Sequence, residues 1–390
     1  MRLRRVINIL LAAGIAALLG NGMTAFADTV RVNASNLNFR SGSNMSAEVI
    51  RMLPRGTILE RTENLGEWSK VTVDGVDGFV ASRYLQIVEN AKQKETIVSG
   101  QMEVTISIEG QEAISGQQIP RVDGERLTDW ETVYAGAAWN VGLKPEYKFA
   151  ANSKINTGKA IFYQSNAQVH KGKAICVNAG HGTQGGSSVK TLCHPDGSAK
   201  VTSGTTAAGA TTAVAVSSGM TFNDGTPEST VTLAMAKVLR DKLLAEGYDV
   251  LMIRETEDVQ LDNIARTVLA NNLADCHIAL HWDSTTKDKG CFYMSVPSNA
   301  SYRSMEPVAS HWESHNRLGS CLIEGLRAGG NKIFSSGAME MDLTQTSYST
   351  IPSVDIELGD KASSHSSETL EKLADGLITG LNQFYSTDRN

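Results

Sequence analysis

Two histidines and two glutamates are the residues of this chain whose types best suit hydrolytic chemistry: His181, Glu228, His281 and Glu357. Two imidazoles and one carboxylate form a zinc-ligand set that leaves one coordination position open for water. A further carboxylate beside that position can take up and return the proton of the water. The four residues therefore predict a catalytic zinc site, provided that the fold brings four separate segments together.

Each of these residues also has a purely structural interpretation. His181 lies in a glycine-rich turn, Gly180-His181-Gly182, where a lone histidine is usually structural. Glu228 stands where a helix is predicted to begin, and a carboxylate in a first turn commonly just stabilises the helix dipole. A shared position at one edge of a sheet would favour the functional interpretation.

The elements that must position these residues alternate between apolar strands and amphipathic helices from residue 173 onwards. Strands are predicted at 174–177, 249–253, 277–281 and 354–358, and helices at 226–246, 262–273, 311–326 and 370–384. Thr226 is predicted to cap the first helix. This alternation predicts an α/β fold, a mostly parallel twisted sheet with helices on both faces. His181, His281 and Glu357 lie at the carboxyl ends of strands, where such sheets bind their ligands.

The same segments resemble, in order, the motifs of the zinc-dependent N-acetylmuramoyl-L-alanine amidases of type 3. The similar stretches are 177–182, 227–233, 263–281 and 351–359, and the resemblance covers about residues 173–385. It implies that His181, Glu228 and His281 bind Zn²⁺ and that Glu357 is the catalytic general base and then acid. It implies hydrolysis, by zinc-activated water, of the amide bond between the lactyl group of N-acetylmuramic acid and the L-alanine of the peptidoglycan stem peptide.

Three features depart from the usual pattern of that family. Asn178 stands where the family usually has Asp, so a charged partner near the metal is missing at this position. The spacing between His181 and Glu228 is long, and residues 199–205 resemble a long-loop subset of clostridial-type amidases. That loop would either shape the substrate groove or form a flexible surface. Trp282, which follows the last ligand, would either line the groove or pack.

The segment 28–88 is predicted to be a separate small β-barrel domain, because short alternating runs are divided by turn signals. Its stretches 36–42, 53–57, 67–71 and 78–85 resemble bacterial SH3-like domains. The resemblance implies attachment to the cell wall, with peptidoglycan as both substrate and anchor. The alternative is a β module without a ligand.

Residues 1–27 are predicted to be a secretory signal peptide. Three arginines precede an apolar run over 7–19, and Ala25-Phe26-Ala27 offers a cleavage site. The alternative is an uncleaved membrane anchor. Cleavage would leave a chain without a stable membrane span, secreted and extracellular or associated with the cell wall. Residues 89–172 are an unassigned connecting region, partly β, and 173–390 are the predicted zinc amidase domain.

The composition excludes some other classes. With 36 Lys+Arg against 42 Asp+Glu and a net charge of -6, the chain is not expected to bind nucleic acid. The 5 cysteines include no C-x-x-C pair and are predicted to be mostly buried hydrophobes.

Other histidines offer weaker sites. His311 and His315 are four apart on a predicted helix, which favours a solvated face. His277 would lie about 13 Å from His281 along a strand and is predicted to be structural. Two alternative functions remain: a wall-binding protein with an inactive site, and another secreted zinc hydrolase such as a peptidase.

Overall fold

The computed structural model describes residues 28–32, 36–45, 47–54, 57–73, 75–89 and 122–386. The predicted signal peptide, 1–27, lies outside the described residues, as does the part 90–121 of the predicted connecting region 89–172. Contacts within the chain separate two compact units, which divide at residue 113.

The first unit is an antiparallel sheet of seven strands in the order β3-β2-β6-β5-β4-β1-β7. The strands are β1 Asp28–Val32, β2 Asn36–Arg40, β3 Val49–Pro54, β4 Ile58–Asn64, β5 Trp68–Val73, β6 Val76–Ala81 and β7 Leu85–Glu89. Alternate residues such as Val71 and Val73 join Val30, Phe39 and Leu59 in one small core. This arrangement confirms the predicted SH3-like β fold.

The second unit is built on a nine-stranded sheet in the order β17-β16-β18-β15-β11-β14-β10-β9-β8, beside a separate hairpin of β12 and β13. Its strands are β8 Glu125–Arg126, β9 Ala135–Gly142, β10 Lys159–Ser165, β11 Ala174–Ala179, β12 Lys190–Leu192, β13 Thr212–Val214, β14 Asp249–Met252, β15 Cys276–Asp283, β16 Cys291–Ser295, β17 Ile333–Glu340 and β18 Ser353–Asp360.

Parallel pairing is confined to part of this sheet. Strands β14, β11, β15 and β18 are successive parallel neighbours, and β16 pairs with β17 in parallel. Strands β8, β9 and β10 extend the other edge in antiparallel fashion, and β16 joins β18 antiparallel. The predicted α/β sheet with helices on both faces is confirmed. Its centre is parallel, and antiparallel pairs occur toward both edges.

Six helices cover the sheet in the described part of this unit. They are α1 Glu228–Ala245, α2 Asn263–Leu273, α3 Ala300–Arg303, α4 Val308–Ala328, α5 Thr344–Tyr348 and α6 Ser367–Ser386. The side chain of Asp262 caps α2 by accepting from the Ala265 backbone amide. The prediction that Thr226 caps α1 is wrong, because the cap residue is Pro227 and no side chain caps this helix. The backbone of Thr226 instead closes a turn with Phe222.

The alternation of side chains along β15 and β18 decides which residues face the site. Ile278 and Leu280 of β15 and Ile356 of β18 lie in the core that packs against α1, α4 and α6. Successive side chains of a strand point to opposite faces. His281 and Glu357 therefore leave the sheet on the opposite face, near its carboxyl edge.

Candidate active site

Three predicted ligands converge at the carboxyl edge of the parallel strands. His181 Nε2 lies 2.9 Å from Glu228 Oε1, and His281 Nδ1 lies 3.2 Å from the same oxygen. The two imidazole nitrogens are 3.1 Å apart. In the described part of the chain this is the one group of three or more potential ligands whose donor atoms all lie within 4.8 Å.

A strained turn after β11 presents His181. Its φ of 63° places it in the left-handed region, which an L-residue adopts only when its surroundings impose it. Arg266 Nη2 donates to the His181 carbonyl over 2.7 Å and to Thr183 Oγ1 over 2.9 Å. The ring Nδ1 lies 2.7 Å from the Ser217 carbonyl oxygen, which can only accept. Nδ1 therefore carries the proton, and Nε2 offers its lone pair to the cluster.

Glu228 begins α1 and is buried, with 3% of its surface exposed. Its Oε2 accepts from the Met220 amide over 2.8 Å and its Oε1 from the Trp282 amide over 3.0 Å. Burial acts to raise the pKa of Glu228, but the close contacts of its carboxylate with the rings of His181 and His281 outweigh burial and hold the pKa well below its usual range. The carboxylate is therefore ionised and fixed in orientation.

The ring of His281 lies directly on the backbone of Gly180. A Cβ atom at Gly180 would stand 2.3 Å from His281 Cε1 and 2.6 Å from its Nε2. Burial acts to lower the pKa of His281, but the carboxylates of Asp355 and Glu228 raise it to about 10. The glycine of the predicted motif thus has a steric role, since only a residue without a side chain lets the two segments approach.

Replacing Gly180 with alanine is expected to displace the His281 ring and to weaken metal binding. Overpacking of this kind typically costs about 1–3 kcal/mol. Titration of zinc against a competing chelator would measure the loss. Gly142→Ala is the matched control, because its nearest neighbour would be Lys159 Cγ at 4.0 Å. Equal zinc affinity in both variants would contradict the prediction.

The donor set fits a zinc ion. Zinc–ligand bonds of about 2.1 Å in tetrahedral geometry place ligand atoms roughly 3.4 Å apart. The three separations of 2.9, 3.1 and 3.2 Å lie close to that value. Two imidazole nitrogens and one ionised carboxylate are also the donor chemistry of catalytic zinc sites, which keep one position open, and a bound cation would displace the proton that the neighbouring carboxylates favour on His281.

Glu357 lies on β18 beside the cluster, with its backbone paired to that of His281. The side chain is buried, and within the described chain its Oε2 has no hydrogen-bond partner. Burial first, and the nearby Asp355 carboxylate second, hold the pKa of Glu357 well above its usual range. An unpartnered carboxyl oxygen in the same cleft is free to exchange protons with a substrate or a water molecule.

Within the described residues, the side chain of Asn178 forms no hydrogen bond with His181, Glu228 or His281. Its Oδ1 accepts from Arg266 Nη1 over 3.0 Å, and its Nδ2 lies 3.1 Å from His277 Nε2. His277 stays outside the cluster, and burial lowers its pKa to about 3. The side-chain amide of Asn178 thus bridges a buried guanidinium and a neutral imidazole. A carboxylate at this position could accept from the guanidinium but has no N–H group to offer the imidazole.

A cleft of about 640 Å³ contains the cluster and Glu357. One wall comes from the long loop, residues 183–225, and another from Met294, Met339 and Met341. The long loop also supplies Ser217 and Met220, the backbone partners of His181 and Glu228. It is therefore part of the site. The indole of Trp282 packs in the core, with the residue 2% exposed.

Asp342 anchors the far part of the long loop from the end of β17. This fully buried carboxylate accepts from His194 Nε2 over 3.0 Å, from the Val201 amide over 2.8 Å and from the Thr202 amide over 3.0 Å. Lys200 Nζ is 3.1 Å away. Burial acts to raise the pKa of Asp342, but the His194 and Thr202 hydrogen bonds outweigh it and lower the pKa below its usual range.

Asp342→Asn is expected to destabilise the second unit by about 3–5 kcal/mol at pH 7, because it leaves buried donors and a lysine uncompensated. A carboxyl with a lowered folded pKa stabilises above its unfolded pKa of about 4, and this stabilisation fades as pH falls through the folded value. The difference in unfolding free energy between the wild type and Asp342→Asn should therefore narrow below about pH 4. Denaturant unfolding at several pH values would measure it, with the exposed Asp129→Asn as control.

Sequence analysis missed Asp355, whose Oδ2 lies 3.5 Å from His281 Nε2. The sequence did offer one signal: Asp355 precedes Glu357 by two residues in a predicted strand, so both side chains are expected on the same face. The expectation of a solvated face for His311 and His315 is wrong for His315, which is buried and accepts from the Ser353 amide. It continues the apolar stripe of Leu318 and Leu322 on α4.

All five cysteines are free, and four of them are buried. Within the described residues, none of the helices combines the length and the apolar character needed to cross a membrane.

Comparison with known proteins identifies both units. A family model described as N-acetylmuramoyl-L-alanine amidase matches residues 175–383, more than half of the chain, and a bacterial SH3 domain model matches residues 35–86. No curated protein shows significant sequence similarity to the chain.

Several solved structures resemble the second unit. The amidase Ami1 of Mycobacterium abscessus is 20% identical, with 56% of this chain and 100% of that chain covered and a TM-score of 0.44. Ami1 of Mycobacterium smegmatis is 20% identical, with 55% of this chain and 98% of that chain covered and a TM-score of 0.45. The CwlD amidase of Clostridioides difficile is 18% identical, with 55% of this chain and 100% of that chain covered and a TM-score of 0.39. On the strength of the family match, the chain belongs to the N-acetylmuramoyl-L-alanine amidase family and is a peptidoglycan amidase.

Proposed function

We propose that the amidase reaction depends on Zn²⁺ held by His181, Glu228 and His281, with Glu357 as the catalytic residue. The observation that carries this proposal is the convergence of the three donor atoms next to an unpartnered buried carboxyl. When bound, zinc would acidify a water molecule and polarise the scissile carbonyl. Its three ligands would come from three separate segments, which the turn at His181, the start of α1 and the end of β15 hold in place.

Glu357 moves the proton in the proposed reaction. In its ionised form, which a bound zinc ion nearby would favour, its carboxylate takes a proton from the water that attacks the lactyl carbonyl carbon of N-acetylmuramic acid. It returns that proton to the nitrogen of L-alanine as the carbon–nitrogen bond breaks, so that a free amine and a carboxylic acid are formed. The buried position of Glu357 next to His281 suits this double role, since no other side chain in the described chain binds its Oε2.

Mass spectrometry of digested peptidoglycan tests the proposal. The purified chain with Zn²⁺ is expected to release intact stem peptides with a free L-alanine amine, and Glu357→Gln is expected to release almost none. Cuts inside the stem peptide would support a zinc peptidase instead. Absence of any product from folded, zinc-loaded protein would support a wall-binding protein with an inactive site.

We also propose that the chain is secreted and acts at the cell wall. The charged and apolar segments of residues 1–27 and the Ala-x-Ala site support export. The match of residues 35–86 to a bacterial SH3 domain supports anchoring to peptidoglycan. Co-sedimentation of the full chain with purified cell-wall sacculi would test the anchoring, and failure to sediment would contradict it.

A further inference from the structure

Asp355 is a partly buried carboxylate of the cleft that the proposed reaction does not use. It lies on β18 two residues before Glu357, so both side chains leave the same face of the sheet. Its side chain is 16% exposed, and its Oδ2 is 3.5 Å from His281 Nε2. Within the described residues its carboxylate forms no other ion pair or side-chain hydrogen bond.

The two nitrogens of His281 face different groups. Nδ1 lies in the cluster, 3.1 Å from His181 Nε2 and 3.2 Å from Glu228 Oε1. Nε2 is on the other side of the ring, toward Asp355. An imidazole that offers the lone pair of one nitrogen to a metal must carry its proton on the other. That proton needs an acceptor, and the Asp355 carboxylate is the ionisable side chain in position to provide one.

The comparison with His181 strengthens this argument. His181 uses Nε2 toward the cluster, and its Nδ1 proton is taken by the Ser217 carbonyl at 2.7 Å. The two histidines thus use opposite nitrogens, and an oxygen atom faces the second nitrogen of each: at 2.7 Å for His181, and at the ion-pair distance of 3.5 Å for His281. A ligand imidazole whose second nitrogen is bound to a carboxylate is fixed in tautomer and ring orientation and is a stronger donor.

We propose that Asp355 is a positioning residue that holds His281 with its proton on Nε2 and its lone pair on Nδ1 directed at the metal. This inference rests on the proposed zinc site. Asp355 is not itself in the group of donor atoms that lie within 4.8 Å of one another, so it acts through His281. The Gly180 backbone supports one side of the same ring, and the carboxylate fixes its rotation.

Two variants of the full chain test the proposal. Asp355→Leu is expected to weaken zinc binding, measured by chelator competition, by roughly 10–100-fold, and the near-isosteric Asp355→Asn by less than Asp355→Leu. Glu357→Gln is the comparison variant, because it removes the charge of a neighbouring carboxylate on the same strand that forms no ion pair with His281; its zinc affinity should change clearly less than that of Asp355→Leu. If Asp355→Leu does not fold, the zinc affinity of Asp355→Asn tests the proposal in its place.

Nitrogen-labelled histidine supplies a readout besides affinity. In the zinc-loaded wild type the Nε2 proton of His281 and the Nδ1 proton of His181 should both be protected from exchange. Asp355→Leu should remove the first signal and keep the second, since Ser217 still holds His181. Loss of both signals together, or unchanged affinity and signals in both variants, would overturn the proposal.

The design separates this inference from the metal site itself. A wild-type chain that binds one zinc ion, lost in His181→Ala, supports the site independently of Asp355. A wild-type chain that bound no zinc would overturn the metal site and this inference with it. Equal weakening of zinc binding by Asp355→Asn and Glu357→Gln would overturn the inference alone, because charge rather than contact would then explain the effect.

Discussion

Replacing Glu228 with glutamine is expected to lower zinc affinity by more than about 100-fold and to abolish amidase activity at ordinary zinc concentrations. The change keeps the shape of the side chain but removes the charge that the two histidines face at 2.9 and 3.2 Å. Glutamine also offers one acceptor oxygen where the Met220 and Trp282 amides now use two. Zinc titration and product formation on purified peptidoglycan would measure both effects.

Glu246→Gln is the matched control for this prediction. It makes the same chemical change at the exposed end of the same helix, where the glutamate forms only a 3.9 Å ion pair with Lys171. Surface pairs of this kind contribute about 0–1 kcal/mol, so its zinc affinity and activity should equal those of the wild type. Full activity of Glu228→Gln without bound zinc would exclude a metal-dependent reaction at this site.

Glu357→Gln is expected to lower kcat by about 10²–10⁴-fold, the usual contribution of a general acid–base residue. Glutamine fills the same buried space but cannot take up and return a proton. Zinc should remain bound, because Glu357 is not among the clustered donor atoms. Steady-state kinetics on a soluble muropeptide, with zinc content measured on the same samples, would separate loss of proton transfer from loss of metal.

Glu340→Gln provides the control for Glu357→Gln. Glu340 is an exposed residue of β17 whose carboxylate binds the amide and hydroxyl of Ser298. This variant should retain wild-type kcat and KM. If Glu357→Gln kept activity within about fivefold of the wild type, a different residue would have to transfer the proton, since a lost acid–base group costs far more.

Much of the catalytic unit could be predicted because its elements carry strong periodic patterns. The apolar runs of β11, β14, β15 and β18 and the stripes of α1, α2, α4 and α6 were located to within a few residues. Strands β8, β9 and β10 were not placed, nor were β16 and β17. Strands β8 and β17 are mostly exposed or half-buried along their length, so they lack the continuous apolar run that marks the central strands.

The residues of the candidate site also divide into those that could be named from the sequence and those that could not. His181, Glu228, His281 and Glu357 could be named from residue type and their positions at strand ends, and the family motifs gave their roles. The importance of Ser217, Arg266, Asp342 and Asp355 could not be predicted from the sequence. The contacts of these residues join positions that are 36 to 148 residues apart in the sequence, so only the packed chain determines them.

The sequence by itself therefore determined the class of fold, the family and the four chemically competent side chains, because each depends on local pattern or residue identity. The tertiary structure alone decided which nitrogen of each histidine faces the cluster, that the long loop contacts His181 and Glu228, and that Asp355 faces His281. Orientation and protonation depend on partners brought together by folding, and the free energy of a buried polar contact is set by those partners.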